Sequence, residues 1–242
     1  NHEFVAYYQP KFDVYTQKIV GAEALVRWVL SDGKIVPPAQ FIELFEKNGQ
    51  IQQLDFHMLE QVCLFQKNLI DKQIQPIPIS INFSRVHLYS SDFVTNIKEV
   101  VEKYNIPKHL IEIECTETVM TYDTELSIEI LGQLQKLGFT IAMDDFGKAY
   151  SALNTLKNMP LNIVKLDSEF FQSTMDSEIE KAKKIIVGVV ALVHDLDLKV
   201  VAEGVETQSQ YLFLKTIGCD YIQGYYFSKP LEENVFLDLI NQ

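Results

Sequence analysis

Gly138-Phe139-Thr140-Ile141-Ala142-Met143-Asp144-Asp145-Phe146-Gly147 is the stretch on which the fold turns. The residues before it, Thr124–Leu137, carry apolar side chains at helical spacing, and Gly138 stands where a helix C-cap is expected. A short β-prone run, Phe139–Asp144, then ends in two carboxylates. Helix, glycine, strand and terminal charge make one unit of an alternating α/β chain. The same unit recurs on both sides. Further strands are predicted at Phe4–Gln9, Ile19–Trp28, Ile77–Asn82, Leu110–Cys115, Asn162–Leu166, Leu198–Glu203 and Asp220–Ile222. Further helices are predicted at Pro38–Asn48, Ile51–Leu69, Ser91–Tyr104, Ser151–Lys157, Ser177–Asp195, Gln208–Ile217 and Glu232–Ile240. Ser177 with Glu180 reads as a capping box, and Gly218 as a second C-cap. About eight such units in this length predict a closed (β/α) barrel of TIM type rather than an open sheet. Phe4–Gln9 and Ile19–Trp28 lie too close together for an intervening helix, so they read as a hairpin. The barrel is therefore predicted to be modified, its first strand antiparallel to the others.

The chain of 242 residues is 47% hydrophobic and 22% charged, enough for one large domain with its own core and no staples. Its 21 basic and 33 acidic residues give a net charge of −12, which argues against duplex nucleic acid or an anionic membrane surface as partner. Cys63, Cys115 and Cys219 are scattered, without a C-x-x-C pair, and predict a reducing, cytoplasmic compartment. The longest apolar run, Ile185–Val193, is far shorter than the roughly 20 residues that span a bilayer. The start at Asn1 is read as the mark of a piece excised from a larger protein.

A parallel barrel builds its site at the carboxyl ends of its strands. Those ends carry Asn82, then Glu114 and Glu117, then Asp144 and Asp145, then Lys165 and Asp167, then Glu203 and Glu206, and last Gln223. One polar strand end only marks where solvent begins; six in succession point to chemistry. Two carboxylates about 4 Å apart repel by about 4 kcal/mol at an effective dielectric near 20, so cations must gather among them. Oxygen donors of this kind suit Mg²⁺ or Mn²⁺. His2, His57, His87, His109 and His194 form no H-x-H or H-x-x-x-H pair and are read as surface or structural. Asp144 and Asp145 reach one site only if the chain bends after Met143, which the Phe146-Gly147 step allows. A bridging carboxylate there would hold two ions for in-line displacement at phosphorus. On the Ile19–Trp28 strand, Glu23 and Arg27 share a face. Arg27 reads equally as a phosphate clamp or as half of a structural salt bridge. Tyr7-Tyr8 and Tyr225-Tyr226 would suit base stacking, but barrel core is the reading preferred for both pairs. There is no Walker A loop, no G-x-G spacing and no G-x-S-x-G elbow.

Tyr8-Gln9-Pro10, Glu23-Ala24-Leu25, Ser80-Ile81-Asn82-Phe83-Ser84, Glu114-Cys115-Thr116-Glu117, Asp144-Asp145-Phe146-Gly147, Lys165-Leu166-Asp167, Ala202-Glu203-Gly204-Val205-Glu206-Thr207 and Gln223-Gly224-Tyr225 occur in this order. On these motifs the sequence resembles the EAL domain, the cyclic di-GMP phosphodiesterase module of bacterial signalling proteins. The resemblance runs end to end and implies a single EAL domain over residues 1–242 of a multidomain signalling protein. It implies hydrolysis of one phosphodiester of cyclic di-GMP to linear 5′-pGpG with two Mg²⁺ or Mn²⁺ ions. By that resemblance Glu23, Asn82, Glu114 and Asp144 hold one ion, and Asp144 and Asp145 the second with help from Glu203. Lys165 orients the attacking water, Glu117 steadies the loop after Asp145, and Glu206 supports the site near Lys165. Gln9, Arg27, Asp167 and Gln223 face the nucleotide. A homodimer is implied, as are a sensor or cyclase domain and any membrane anchor in regions beyond this chain. The family usually continues Asp-Asp-Phe-Gly with Thr-Gly-Tyr, whereas Lys148 and Ala149 precede Tyr150 here. Where that glycine position is left-handed, its loss costs about 1 kcal/mol or more. A catalytically silent cyclic di-GMP receptor and an unrelated barrel enzyme acting on sugars or sugar phosphates stay open as alternatives.

Overall fold

The computed structural model describes residues 3–147, 156–169 and 179–241. Lys148, Ala149, Ser177 and most of the expected helix Ser151–Lys157 lie outside them. Among the described residues the strands are β1 Phe4–Asp13, β2 Ile19–Val29, β3 Ile35–Val36, β4 Ile79–Asn82, β5 Ile111–Thr116, β6 Thr140–Phe146, β7 Ile163–Leu166, β8 Lys199–Ala202, β9 Tyr221–Ile222 and β10 Leu231–Glu232. Neighbours pair in the order β1-β2-β4-β5-β6-β7-β8-β9, and Phe12 opposite Ile222 closes the ring. Every pairing from β2 to β9 in that ring is parallel. β1 alone runs antiparallel to both neighbours, as the hairpin spacing requires.

β1 continues past the expected Gln9, through Pro10 to Asp13. Asp13 then stops it by accepting hydrogen bonds from the amides of Tyr15 and Thr16. The helix Thr124–Lys136 is capped as expected: Gly138 has φ +99° and its amide bonds to the Gln135 carbonyl. Gly218 does the same after Gln208–Thr216, with φ +83°. The helix Glu117–Tyr122, placed directly after β5, was not expected; a single turn and a half has too few residues to show a period.

The burial pattern explains where the polar groups go. β5 is buried on both faces, its alternation sending Ile111, Ile113 and Cys115 one way and Glu112 and Glu114 the other. Ala142, Ile163 and Val201, two residues before Asp144, Lys165 and Glu203, form a small apolar cluster of their own with Tyr221 partly buried against it. These apolar side chains close only one side of the lumen below the site, where barrels usually stack aliphatic layers throughout. Outside the ring, Tyr8 lies between Phe65 at 4.6 Å and Phe236 at 5.3 Å, which fixes it as core. The three cysteines are free and buried. Among the described residues no helix is long and apolar enough to cross a membrane.

Candidate active site

Lys165 organises the mouth. It stands on β7 without solvent exposure, and its ammonium lies 2.7 Å from Glu114 Oε2, 2.7 Å from Glu203 Oε1, 3.2 Å from Glu23 Oε2 and 3.4 Å from Asp144 Oδ1. Burial alone would lower its pKa, but Asp144, Glu114, Glu203 and Glu23 hold it well above the ordinary lysine value. Glu23 on β2 is fixed twice more: Asn82 Nδ2 donates to its Oε1 at 2.8 Å and Gln223 Nε2 to its Oε2 at 2.7 Å. Burial raises the pKa of Glu23 and pushes that of Glu203 well up. Burial would raise Glu114 too, but Lys165 and then Lys11 bring it down to about 2.

The backbone supplies the rest of the geometry. The β6–β7 pairing slips between Met143 and Phe146, and Asp145 adopts φ +58°, so the expected bend after Met143 is present. Asp145 donates its amide to Asp144 Oδ1 at 2.8 Å. Glu117 Oε2 accepts the Gly147 amide at 2.9 Å and so ties down the segment that follows Asp145. Gly204 has φ +62°, and a Cβ there would lie 2.4 Å from the Ser168 Cβ. Only a glycine lets the turn after β8 come this close to the loop after β7 and set Glu203 over Lys165. Gly224 serves Gln223 in the same way, since a Cβ on it would strike the Val205 backbone at 2.2 Å.

An acidic cleft of about 380 Å³ opens above, lined by Gln9, Glu23, Asp144, Asp167, Glu203 and Tyr225 among others. Gln9 accepts from Gln223 at 3.1 Å and donates to the Ser228 carbonyl. Asp167 faces the cleft and accepts the Glu169 amide. A second cavity of about 440 Å³, mostly apolar, shares Leu25 with the cleft and is bordered by Pro38, Ile42, Phe83 and Asn82. Arg27 forms no ion pair among the described residues; its guanidinium donates to the Val26 carbonyl and lies 5.7 Å from the Tyr7 ring centre.

One expectation needs correction. Tyr225 is not core: it is 59% exposed and stands on the cleft wall, because Gly224 turns the chain outward there. Glu206 is exposed on the rim, where it helps to line the cleft and its amide donates to Gln210 Oε1. Sequence reasoning also missed Lys11, Ser80 and Glu112, which are buried beneath the site. Their signal was present, since each lies two residues from a predicted site residue on the same strand face. His57, His87 and His194 bond the Phe4 carbonyl, Asp55 and Asp220 respectively, and His109 is exposed.

Glu23, Glu114, Asp144 and Glu203 bring four carboxylates to one ammonium, with the Asn82 amide beside them. That donor set is oxygen only and strongly negative, and it fits hard divalent cations. The ammonium now takes the centre of the set, so among the described residues no three acidic side chains form a ready-made metal cage.

Residues 1–230 match the EAL domain family. The chain belongs to that family. This EAL domain is 36% identical over 240 residues to the signaling protein YkoW of Bacillus subtilis, covering 99% of the chain and 30% of YkoW. It is 34% identical over 238 residues to the cyclic di-GMP phosphodiesterase RocR of Pseudomonas aeruginosa, covering 98% of the chain and 60% of RocR. Its fold superimposes with a TM-score of 0.90 on the PaMucR phosphodiesterase in complex with c-di-GMP, at 31% identity, covering 97% of this chain and 94% of that one. The EAL domain thus spans 30% of YkoW and 60% of RocR.

Proposed function

We propose that this EAL domain hydrolyses one phosphodiester of cyclic di-GMP to linear 5′-pGpG. The observation that carries the proposal is the convergence of Glu23, Glu114, Asp144 and Glu203 on Lys165 at the floor of the cleft. In this reading Glu23, Asn82, Glu114 and Asp144 hold one Mg²⁺ or Mn²⁺ ion, and Asp144, Asp145 and Glu203 a second. Such ions, when bound, polarise the phosphate and make the attacking water more acidic. Lys165 donates a hydrogen bond that orients that water. Glu23 is kept in place by Asn82 and Gln223, and Glu117 keeps Asp145 in place through Gly147. Gln9, Arg27, Asp167 and Gln223 contact the nucleotide. Tyr225 offers an exposed ring on the same wall, and the neighbouring apolar cavity has room for a flat base. An acidic protein thereby accepts a dianion, because bound cations and Arg27 reverse the sign locally.

The same reading places the domain in the cytoplasm, as a homodimer and as one module of a larger signalling protein. The buried free cysteines support the reducing compartment, and the greater length of its relatives supports the larger protein. Incubation of the purified protein with cyclic di-GMP and Mg²⁺ or Mn²⁺, followed by chromatography, tests the activity. Linear pGpG is expected; a folded protein that leaves the ligand intact contradicts the proposal. Tight binding without turnover would select the silent receptor, which the complete ligand set counts against and the substitutions Lys148 and Ala149 keep open.

A further inference from the structure

A second ammonium is sealed beneath the site. Lys11, on β1, is 2% exposed, and its Nζ lies 2.7 Å from Glu112 Oε2, 3.1 Å from Glu114 Oε1 and 3.0 Å from Ser80 Oγ. Glu114 is thus gripped from both sides. Its Oε2 faces Lys165 and the other site carboxylates, and its Oε1 is taken by Lys11. Two features of the backbone put Lys11 there. The β1–β2 register breaks between Lys11 and Phe12, a bulge that re-aims side chains. The residue opposite Lys11 is Gly21, where a Cβ would touch the Lys11 Cδ at 3.9 Å and crowd the Pro78 carbonyl oxygen at 3.0 Å.

Stability alone is a poor reason for this arrangement. A buried ion pair is commonly no more stable than apolar side chains of the same volume, and one side of this lumen is apolar. Glu112 cancels the charge of Lys11, which leaves one uncommitted result: a fixed hydrogen-bond donor on the far oxygen of Glu114. Partners that hold a metal ligand from behind typically change metal affinity about 10–100-fold when removed.

We propose that Lys11 is a positioning residue that orients Glu114 toward the ion site, with Glu112 as the counter-charge that keeps the lysine buried. The inference rests on the ligand role given to Glu114 above. Lys11→Met alone strands Glu112, so the test compares Glu112→Gln with the charge-neutral double variant Lys11→Met/Glu112→Gln. Thermal unfolding checks the fold, and calorimetry with Mn²⁺ alone reads affinity independently of turnover. Glu112→Gln, which keeps the Lys11 donor on Glu114, is expected to lose less Mn²⁺ affinity than the double variant. The double variant is expected to fold but to bind Mn²⁺ about 10–100-fold more weakly, with turnover returning as Mn²⁺ is raised. A folded double variant with wild-type affinity would overturn the proposal. A double variant that does not fold would overturn it too, since the lysine would then serve the core. Wild-type protein that binds no Mn²⁺ would instead remove the ligand role of Glu114, and this inference with it.

Discussion

The Lys165 ammonium and Glu114 Oε2 lie 2.7 Å apart with neither side chain reaching solvent, so each helps to keep the other charged. Removing one partner of a buried pair typically costs about 3–5 kcal/mol, because the survivor stays charged in a poor solvent. Here the survivors would be four carboxylates. Lys165→Met is therefore expected to lower the melting temperature steeply in chelator and to regain part of the loss when Mn²⁺ is added. Thermal unfolding with and without the ion reads both effects. Equal destabilisation in the two conditions would mean that the carboxylates do not take up cations.

Glu23 separates binding from chemistry. Its carboxylate belongs to the ion site, whereas Gln9, Arg27 and Gln223 are assigned to the nucleotide. Glu23→Ala is expected to cut turnover on the order of 10²–10³-fold, the usual loss when a group stabilising the transition state is deleted. Measurable cyclic di-GMP binding should survive in calorimetry. Parallel loss of rate and affinity would contradict the division of roles.

The turn after β8 offers a purely steric test. Gly204→Ala puts a methyl 2.4 Å from the Ser168 Cβ at a residue with φ +62°. The strain should exceed about 1 kcal/mol and move Glu203 off Lys165, so stability and turnover should fall together. Unchanged turnover would show that the position of Glu203 is not set by this turn.

Away from the site, Asp220 gives a pH-dependent signal. Burial would raise its pKa, but Lys199, the Val200 amide and His194 together lower it. A carboxyl with a lowered native pKa adds stability that is fully present above its unfolded value, about 3.9, and is lost as the pH falls through the native value. Asp220→Asn is expected to cost on the order of 1–3 kcal/mol at neutral pH. The gap from wild type should narrow below about pH 4. Urea unfolding at pH 7 and pH 3 reads the difference, and a gap that widens in acid would refute the assignment.

The strand ends were legible because period-2 alternation in β5 and the two-residue step from Ala142 to Asp144 are local facts of the sequence. The antiparallel β1 was legible from the short spacing between two strands. Lys11 and Glu112 were not read as a pair, since they lie on strands far apart in sequence, and only barrel closure brings them within 2.7 Å. Tyr225 was misread because its exposure depends on Gly224 packing against Val205, a contact that no local pattern announces. Glu206 shares a motif with Glu203, yet the turn leaves it on the rim.

Anomalous scattering from crystals soaked in Mn²⁺ tests the central claim most directly. The account predicts density within coordination distance of Glu23, Asn82, Glu114 and Asp144, with the Lys165 ammonium displaced from their centre. Density only elsewhere on the surface, with Lys165 still enclosed by the four carboxylates, would contradict it.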